Sequence, residues 1–326
     1  MRRLEREALA ERYNASVRIA VVGAGGVGGY FGGRLAEAGA DVVFLARGAH
    51  LQAMRTRGLR IDSPIGNVHI PRIDATDDPS SIGPVDIVLF AVKLYDAESA
   101  TRLLPPLLGP DTAVIPLQNG VEGVDLVTRA VGADNTAGGT VYVSAVISEP
   151  GVIRHTAMEQ LIFGELDGRR SPRLERLLDI CRSAKFRSTL SENISVDIWT
   201  KFVRLSVFSG MTSVTRCPIG VIVNDPDLLE MLKAAVREVT LVAQARGVPV
   251  PDDGPEQVAK ASKVLPHGAK SSMLEDLERG RRLELPWLSG AVVRIGAEVG
   301  VDTPIHRFIA TVLQPHVNGV DQTRKP

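Results

Sequence analysis

Apolar residues are distributed in two different ways along this chain. Through residue 190 they come as short, β-branched runs alternating with helical patterns. Beyond about Ser191 they recur at helical spacing and strand-like runs largely disappear. The first part predicts strands at 17–22, 41–46, 85–92 and 113–117, extended chain over 136–148, and further strands at 151–155 and 160–163. Residues 59–61 and 68–70 bracket Pro64-Ile65-Gly66 as an antiparallel hairpin. Helical patterns fall at 50–57, 96–107 and 172–184, the last with Leu174, Leu177, Leu178 and Cys181 on one face. Such alternation predicts a doubly wound α/β sheet with some antiparallel additions. The second part predicts helices at 198–209, 227–245, 255–264, 272–279, 286–299 and 305–317. Their breaks are marked by Pro226, Gly247, Pro251, Pro266, Pro286, Gly300 and Pro304.

The junction between the first strand and the first helix carries the most specific chemistry. Gly23, Gly25 and Gly28 form a G-x-G-x-x-G turn directly after 17–22, and from Tyr30 the pattern is helical until Gly39. In this context Gly23 permits the tight turn, Gly25 lets a pyrophosphate approach the backbone, and Gly28 lets helix and strand pack closely. Gly23, Gly25, Gly26, Val27 and Gly28 are thus the expected pyrophosphate-binding loop, with the positive end of the helix facing the ligand. The second strand ends in Arg47, where an NAD-selecting chain offers an acid to the ribose 2′-OH. A guanidinium cannot accept that bond, but pairs well with a 2′-phosphate. NADPH/NADP is therefore the expected cofactor; an ordinary solvated arginine is the alternative.

A chain of 326 residues is long for one core. The expected organisation is an extension over 1–16, an NADP-binding Rossmann-type domain over 17–190, and an all-helical domain over 191–326 carrying substrate and catalytic groups, with the substrate in the cleft between the two. Lys plus Arg and Asp plus Glu both number 38. This balance argues against a nucleic-acid partner, and no apolar run is long enough to span a bilayer. The charged N-terminus does not resemble a signal peptide, and the two distant cysteines, Cys181 and Cys217, suit a reducing cytoplasm.

Four islands outside the glycine loop carry polar groups that chemistry could use. Lys93 follows a buried strand at the sheet end where ligands bind; a solvated lysine is the alternative. Asn119, in Gln118-Asn119-Gly120, also follows a strand and offers both a donor and an acceptor, although N-G is a common turn. Lys201 lies in an apolar helix with Leu205 and Ser209 at i+4 and i+8, where it could protonate a developing alkoxide or simply snorkel to water. Ser272 and Glu275 read as a capping box, and Glu284 falls at an element junction before Pro286.

Together these stretches resemble the ketopantoate reductase family. They are Gly23-Ala-Gly-Gly-Val-Gly-Gly-Tyr-Phe-Gly32, Leu45-Ala-Arg47, Ala91-Val-Lys93, Gln118-Asn-Gly-Val-Glu122, Trp199-Thr-Lys201 and Ser272-Met-Leu-Glu-Asp-Leu277 through Glu284, in the family's order and spanning 17 to about 315. The resemblance implies reduction of a 2-oxo acid, 2-dehydropantoate to (R)-pantoate, with NADPH and no metal. It implies that Lys201 donates the proton, that Asn119 sits beside nicotinamide and carbonyl, and that Lys93 lies near the cofactor's phosphate and ribose. It also implies that Ser272 holds the substrate carboxylate and that Glu284 touches both cofactor and substrate. Helical domains of such folds often form dimers, so a homodimer is compatible. The sequence departs from the family pattern at Leu205 and Ser209, where substrate-facing asparagines are expected. That leaves open a relative reducing a different ketoacid. A non-catalytic NADPH sensor is the rival from another class, and a proton donor would serve it no purpose.

Overall fold

The computed structural model describes residues 17–320, so the expected extension at 1–16 lies outside the described residues. The described chain forms two compact units. One runs to Gln118 and resumes over Val124–Ile194; the other takes Asn119–Gly123 and the chain from Ser195 onward.

The first unit contains β1 (Arg18–Val22), α1 (Gly26–Glu37), β2 (Asp41–Leu45), α2 (Gly48–Arg57), β3 (Leu59–Asp62), β4 (Val68–Ile70), β5 (Asp74–Thr76) and β6 (Val85–Phe90). It continues with α3 (Leu94–Ala100), β7 (Leu108–Pro116), α4 (Gly123–Val131), β8 (Ala137–Glu149), β9 (Val152–Glu165), α5 (Pro172–Ser183) and β10 (Arg187–Leu190). Five strands make an all-parallel sheet in the order β5-β2-β1-β6-β7. The strand order reverses between β1 and β6, so a ligand crevice is expected at their carboxyl ends. These strands read as continuous apolar runs because both faces of the sheet are covered by buried clusters.

The expected antiparallel additions belong to a second, mixed sheet, in which β3–β4 and β8–β9 pair antiparallel while β3–β9 and β10–β9 pair parallel. The expected β3–β4 hairpin pairs Leu59 with Ile70 and Ile61 with Val68. The expected strands at 151–155 and 160–163 are one long strand, β9, paired with β8 along its length, with β3 near its start and β10 near its end. A positive φ of 61° at Met158 falls within it, where the β8 pairing shifts register. That bulge breaks the apolar alternation and hides the strand's continuity.

Helix α1 packs between the two sheets, which explains its four internal glycines. A Cβ on Gly28 or Gly32 would meet Val21 at 2.8 or 2.7 Å, on the parallel sheet. A Cβ on Gly29 would meet Ile153 of β9 at 2.7 Å, and one on Gly33 would meet Ile61 of β3 at 2.7 Å. Two glycine pairs, each spaced four apart, thus press both faces of one helix against sheets. Arg34 of the same helix is fully buried, with Nη2 donating to the Gly66 carbonyl at 2.7 Å and Nη1 to Glu37 at 3.1 Å.

Several element boundaries differ from the sequence expectation. The helix expected at 96–107 ends at Ala100 and gives way to two 3₁₀ turns, the second beginning at Pro105. The strands β5 and β10 are too short to carry a periodic signal; helix α4 is amphipathic, with Val124, Val127 and Val131 at helical spacing, but short, and all three are found only in the structure.

The second unit is helical: α6 (Ile194–Thr215), α7 (Ile219–Asn224), α8 (Pro226–Ala245), α9 (Gly254–Lys263), α10 (Ser272–Glu278), α11 (Ser289–Val299) and α12 (Pro304–Leu313). Helix α6 is longer at both ends than expected. Ser206, Thr212 and Thr215 donate back to the carbonyls of Phe202, Phe208 and Met211, which keeps their hydroxyls satisfied within the helix. Buried Glu238 of α8 accepts from the backbone nitrogens of Ile305 and His306 at 2.8 and 3.0 Å, capping α12 from another helix. No helix of the described residues is long and apolar enough to cross a membrane.

Candidate active site

The first unit presents its site through the backbone. Gly23 has φ of 97°, the left-handed region that other residues adopt only with strain, and a Cβ there would meet Val92 at 2.8 Å. Gly28 leaves no room for a side chain, since its Cβ would lie against the Gly23 carbonyl and Val21. Gly26 is equally tight, against the Ala145 carbonyl of β8, and Val27 packs partly buried on the core. Gly25 is different: a Cβ there would meet nothing within 4 Å. It stands at the N-cap of α1 with no side chain capping the helix and no acid in its first turn. Uncapped helix amides beside an unobstructed glycine fit the pyrophosphate of a dinucleotide.

Charged groups sit at the carboxyl ends of the neighbouring strands. Arg47 occupies the N-cap position of α2 just beyond β2. Its side chain is 85% exposed and its Nη2 meets Asp96 of α3 at 2.9 Å. Lys93 is the exposed N-cap residue of α3, three positions beyond the end of β6, which stops at Phe90 rather than Val92.

The second unit presents a side-chain cluster drawn from three distant points of the sequence. Lys201 of α6 is buried, and its Nζ donates to Asn119 Oδ1 at 3.1 Å. The Asn119 Nδ2 donates in turn to Glu284 Oε2 at 3.1 Å. An ammonium cannot accept and a carboxylate cannot donate, so this pairing fixes which way the Asn119 amide faces. Glu284 is also buried, at the N-cap position of a 3₁₀ turn, Leu285–Trp287. Burial lowers the Lys201 pKa to about 8, while the Glu284 carboxylate pulls it upward. The result is an ammonium that can lose its proton near neutral pH.

Asn119 is held by its own segment. Gly120 turns with φ of 93°, and Glu122 receives both its hydrogen bonds from Arg294 Nη2 of α11 at 2.9 Å. Arg294 also donates to the Pro286 carbonyl, two residues beyond Glu284. The sequence does not reveal this anchor, because Arg294 is 172 residues from Glu122 and lies in an ordinary amphipathic helix.

The remaining candidates are placed less centrally. Ser272 is not the cap of α10. Ser271 is, with its Oγ accepting from the Leu274 nitrogen at 3.0 Å and pairing with Thr212 Oγ1 at 2.7 Å. Two adjacent serines make the cap ambiguous by one position in sequence; Ser272 begins the helix proper and is exposed. Leu205 is half-buried and packs on the core of the second unit. Ser209 is fully buried, and unlike Ser206 and Thr212 its hydroxyl has no partner.

These features place the chain in a class: a dinucleotide-binding Rossmann-type unit joined to a helical unit carrying a buried lysine, asparagine and glutamate. The family follows from comparison with known proteins. Residues 19–168 match the Ketopantoate reductase PanE/ApbA family and residues 193–317 match its C-terminal domain. The chain is 30% identical over 309 residues to a 2-dehydropantoate 2-reductase of Mesorhizobium japonicum, covering 88% of this chain and 94% of that one. The crystal structure of a PanE/ApbA family ketopantoate reductase from Ralstonia eutropha JMP134 has 31% identity and a TM-score of 0.83, covering 92% and 98% of the two chains. The chain therefore belongs to the ketopantoate reductase family and is an oxidoreductase. A D-mandelate dehydrogenase solved with NADH and anilino(oxo)acetate shares the fold, with a TM-score of 0.83, 21% identity, and 92% and 98% of the two chains covered.

Proposed function

We propose that this protein uses NADPH to reduce a 2-oxo acid, 2-dehydropantoate, to (R)-pantoate. The observation that carries the reading is the buried Lys201–Asn119–Glu284 chain, in which Lys201 is poised to release a proton near neutral pH. General acids work best when their pKa lies near the operating pH. When bound, the reduced dinucleotide supplies a hydride to the ketone carbon. Lys201 delivers the proton to the ketone oxygen, and until it does so its positive charge stabilises the charge growing there. Glu284 keeps the lysine protonated by its own negative charge, and Asn119 holds the two at fixed positions. Ser272 would bind the substrate carboxylate, while Leu205 and Ser209 would line the rest of its pocket.

The glycine loop would hold the pyrophosphate, Lys93 the neighbouring phosphate and ribose, and Arg47 the 2′-phosphate. Arg47's present bond to Asp96 is no obstacle. An exposed ion pair contributes about 0–1 kcal/mol, whereas a charge-assisted phosphate contact contributes about 1.5–3 kcal/mol. The two unpaired thiols, Cys181 and Cys217, suit a reducing cytoplasm as the setting.

A second reading, reduction of a different and less polar ketoacid, is favoured by one residue: Leu205, which offers no hydrogen bond on the Lys201 face of α6. The deciding experiment measures NADPH oxidation with a panel of 2-oxo acids that includes 2-dehydropantoate. Turnover of 2-dehydropantoate above all others supports the first reading. A higher kcat/KM for an apolar ketoacid selects the second, and NADPH binding without turnover of any panel member overturns both.

A further inference from the structure

We infer, on the reading of Lys201 as the proton donor, that Arg294 is a positioning residue for that lysine. Its guanidinium buckles together the two segments that carry Asn119 and Glu284.

The two segments come from distant parts of the sequence. Asn119–Gly123 is a short strap that the chain adds to the second unit after Gln118 and before Val124. Glu284 stands at the end of an irregular stretch, just before the 3₁₀ turn Leu285–Trp287. Neither Asn119 nor Glu284 is held by a regular helix or a sheet, yet their side chains meet at 3.1 Å.

Arg294 of α11 grips both segments. Its Nη2 donates to the two oxygens of Glu122, three residues after Asn119, each at 2.9 Å. Its Nη1 donates to the Pro286 carbonyl, two residues after Glu284, at 2.9 Å. A helical side chain leans toward the N-terminus of its helix, so Arg294 runs back along α11 to reach Pro286. Gly290, one turn earlier, leaves it room: a Cβ there would meet the Leu285 carbonyl at 3.1 Å and Arg294 Nη1 at 3.5 Å. Val121 of the strap packs on the core of the second unit and gives it a further point of attachment.

Stability does not account for this arrangement. The Arg294 side chain is 49% exposed and that of Glu122 34%, and ion pairs at such sites contribute little. What the guanidinium supplies is geometry, since its donors are spread over a rigid plane that a point-like ammonium does not reproduce. Glu284 is the charged group that raises the Lys201 pKa. Losing Arg294 could therefore act by two routes of opposite sign. Removing a cation from the neighbourhood would favour the Lys201 ammonium and raise its pKa. Letting the Glu284 carboxylate drift away would lower it.

The test follows the titration of Lys201 in the ligand-free protein by NMR of carbon-13-labelled lysine, assigned by the signal lost in Lys201→Ala. Alongside it, kcat, the KM for NADPH and Tm are measured. In Arg294→Met the Lys201 titration and the alkaline fall of kcat should both move to lower pH. The kcat should fall about 10- to 100-fold, the scale of a displacement of about 1 Å at a reacting group. The KM for NADPH and the Tm should hardly change. Arg294→Lys keeps the charge and loses the fork, so it should move the same quantities in the same direction by less. An unchanged titration overturns the inference. So does a titration that moves to higher pH, which marks an effect of charge alone, and so does a loss of kcat matched by a fall in Tm. If Arg294→Met does not fold, Glu122→Gln decides, because it loosens only the strap: the same shift to lower pH is expected, and its absence overturns the inference. The titration needs neither cofactor nor substrate. If the unmodified protein reduces no ketoacid while Arg294→Met still shifts Lys201, the proposed function falls and the positioning role stands.

Discussion

The two units offer their chemistry by opposite means. In the first unit the candidate site is made of missing atoms: glycines without side chains and a helix end without a cap. In the second it is made of side chains, Lys201, Asn119 and Glu284, which are contiguous in space and separated by 82 and 165 residues in sequence. A backbone site is damaged by adding an atom, and a side-chain cluster by deleting one. The same contrast appears in the two cations. Arg47 is 85% exposed, so its charge is permanent and its partner can be exchanged. Lys201 is buried, so its charge is conditional and tuned by what surrounds it.

Deleting the Lys201 side chain should have the largest effect. Lys201→Ala should lower kcat by about 10²–10⁴, the range for a positioned acid. NADPH affinity should hold, because the glycine loop and Arg47 belong to the other unit. The pH profile sharpens the assignment. An acid must be protonated to act, so kcat should fall as pH rises through about 8, where the buried ammonium loses its proton. Glu284→Gln removes the negative charge that raises the lysine pKa and should move that fall to lower pH. A profile flat through this region under conditions where chemistry limits the rate would remove Lys201 from the mechanism.

This asymmetry also explains what could be read from sequence. A backbone site is local, so Gly23 through Gly28, with a strand before and a helix after, was legible without any structure. The alternation of strands and helices predicted the parallel sheet, and helical spacing beyond Ser191 predicted the second unit. The side-chain cluster was visible only through family resemblance, because no local pattern links Asn119 to Lys201 or Glu284. The Arg294–Glu122 anchor and the choice of Ser271 over Ser272 as cap are settled by packing or by a one-residue register. Apolar periodicity does not encode these. The single strand β9 reads from sequence as two strands for a related reason: its bulge at Met158 interrupts the apolar alternation.

Arg47 comes next in size. Arg47→Ala should weaken NADPH binding by roughly 10- to 150-fold, equivalent to about 1.5–3 kcal/mol for a charge-assisted contact. NADH binding should change little, since it has no 2′-phosphate. Equal use of NADPH and NADH by the unmodified protein would instead leave Arg47 as a surface residue paired with Asp96.

Adding one methyl group at two points of the glycine loop should have two different results. In Gly28→Ala the new Cβ meets the Gly23 carbonyl and Val21, so the helix must shift. Overpacking of this kind costs about 1–3 kcal/mol, read as a lowered Tm without ligand. In Gly25→Ala the new Cβ meets nothing in the protein, so the ligand-free Tm should stay the same while the KM for NADPH rises about tenfold. A fall in Tm for Gly25→Ala, or an unchanged KM, would break the distinction between a glycine kept for packing and one kept for the ligand.

The smallest expected effect lies at Leu205, where the side-chain site departs from its family pattern. Leu205 and Ser209 share a helix face with Lys201, so on the proposed reading they meet the same substrate. Leu205 is half-buried against the core and can make no hydrogen bond. A substrate hydroxyl placed against it would lose a partner, at a cost of about 1–3 kcal/mol. Discrimination for the 4-hydroxyl of 2-dehydropantoate should therefore be weak. Its analogue lacking that hydroxyl should be reduced with kcat/KM within about tenfold, since one decade is about 1.4 kcal/mol. Leu205→Asn should shift the ratio toward the hydroxylated substrate, provided that circular dichroism and Tm show the helix still packed. The comparison is kcat/KM for the two ketoacids in both proteins. A preference of a hundredfold or more for 2-dehydropantoate in the unmodified protein would mean that other groups read the hydroxyl, with the buried, unpartnered Ser209 the first to test by Ser209→Ala.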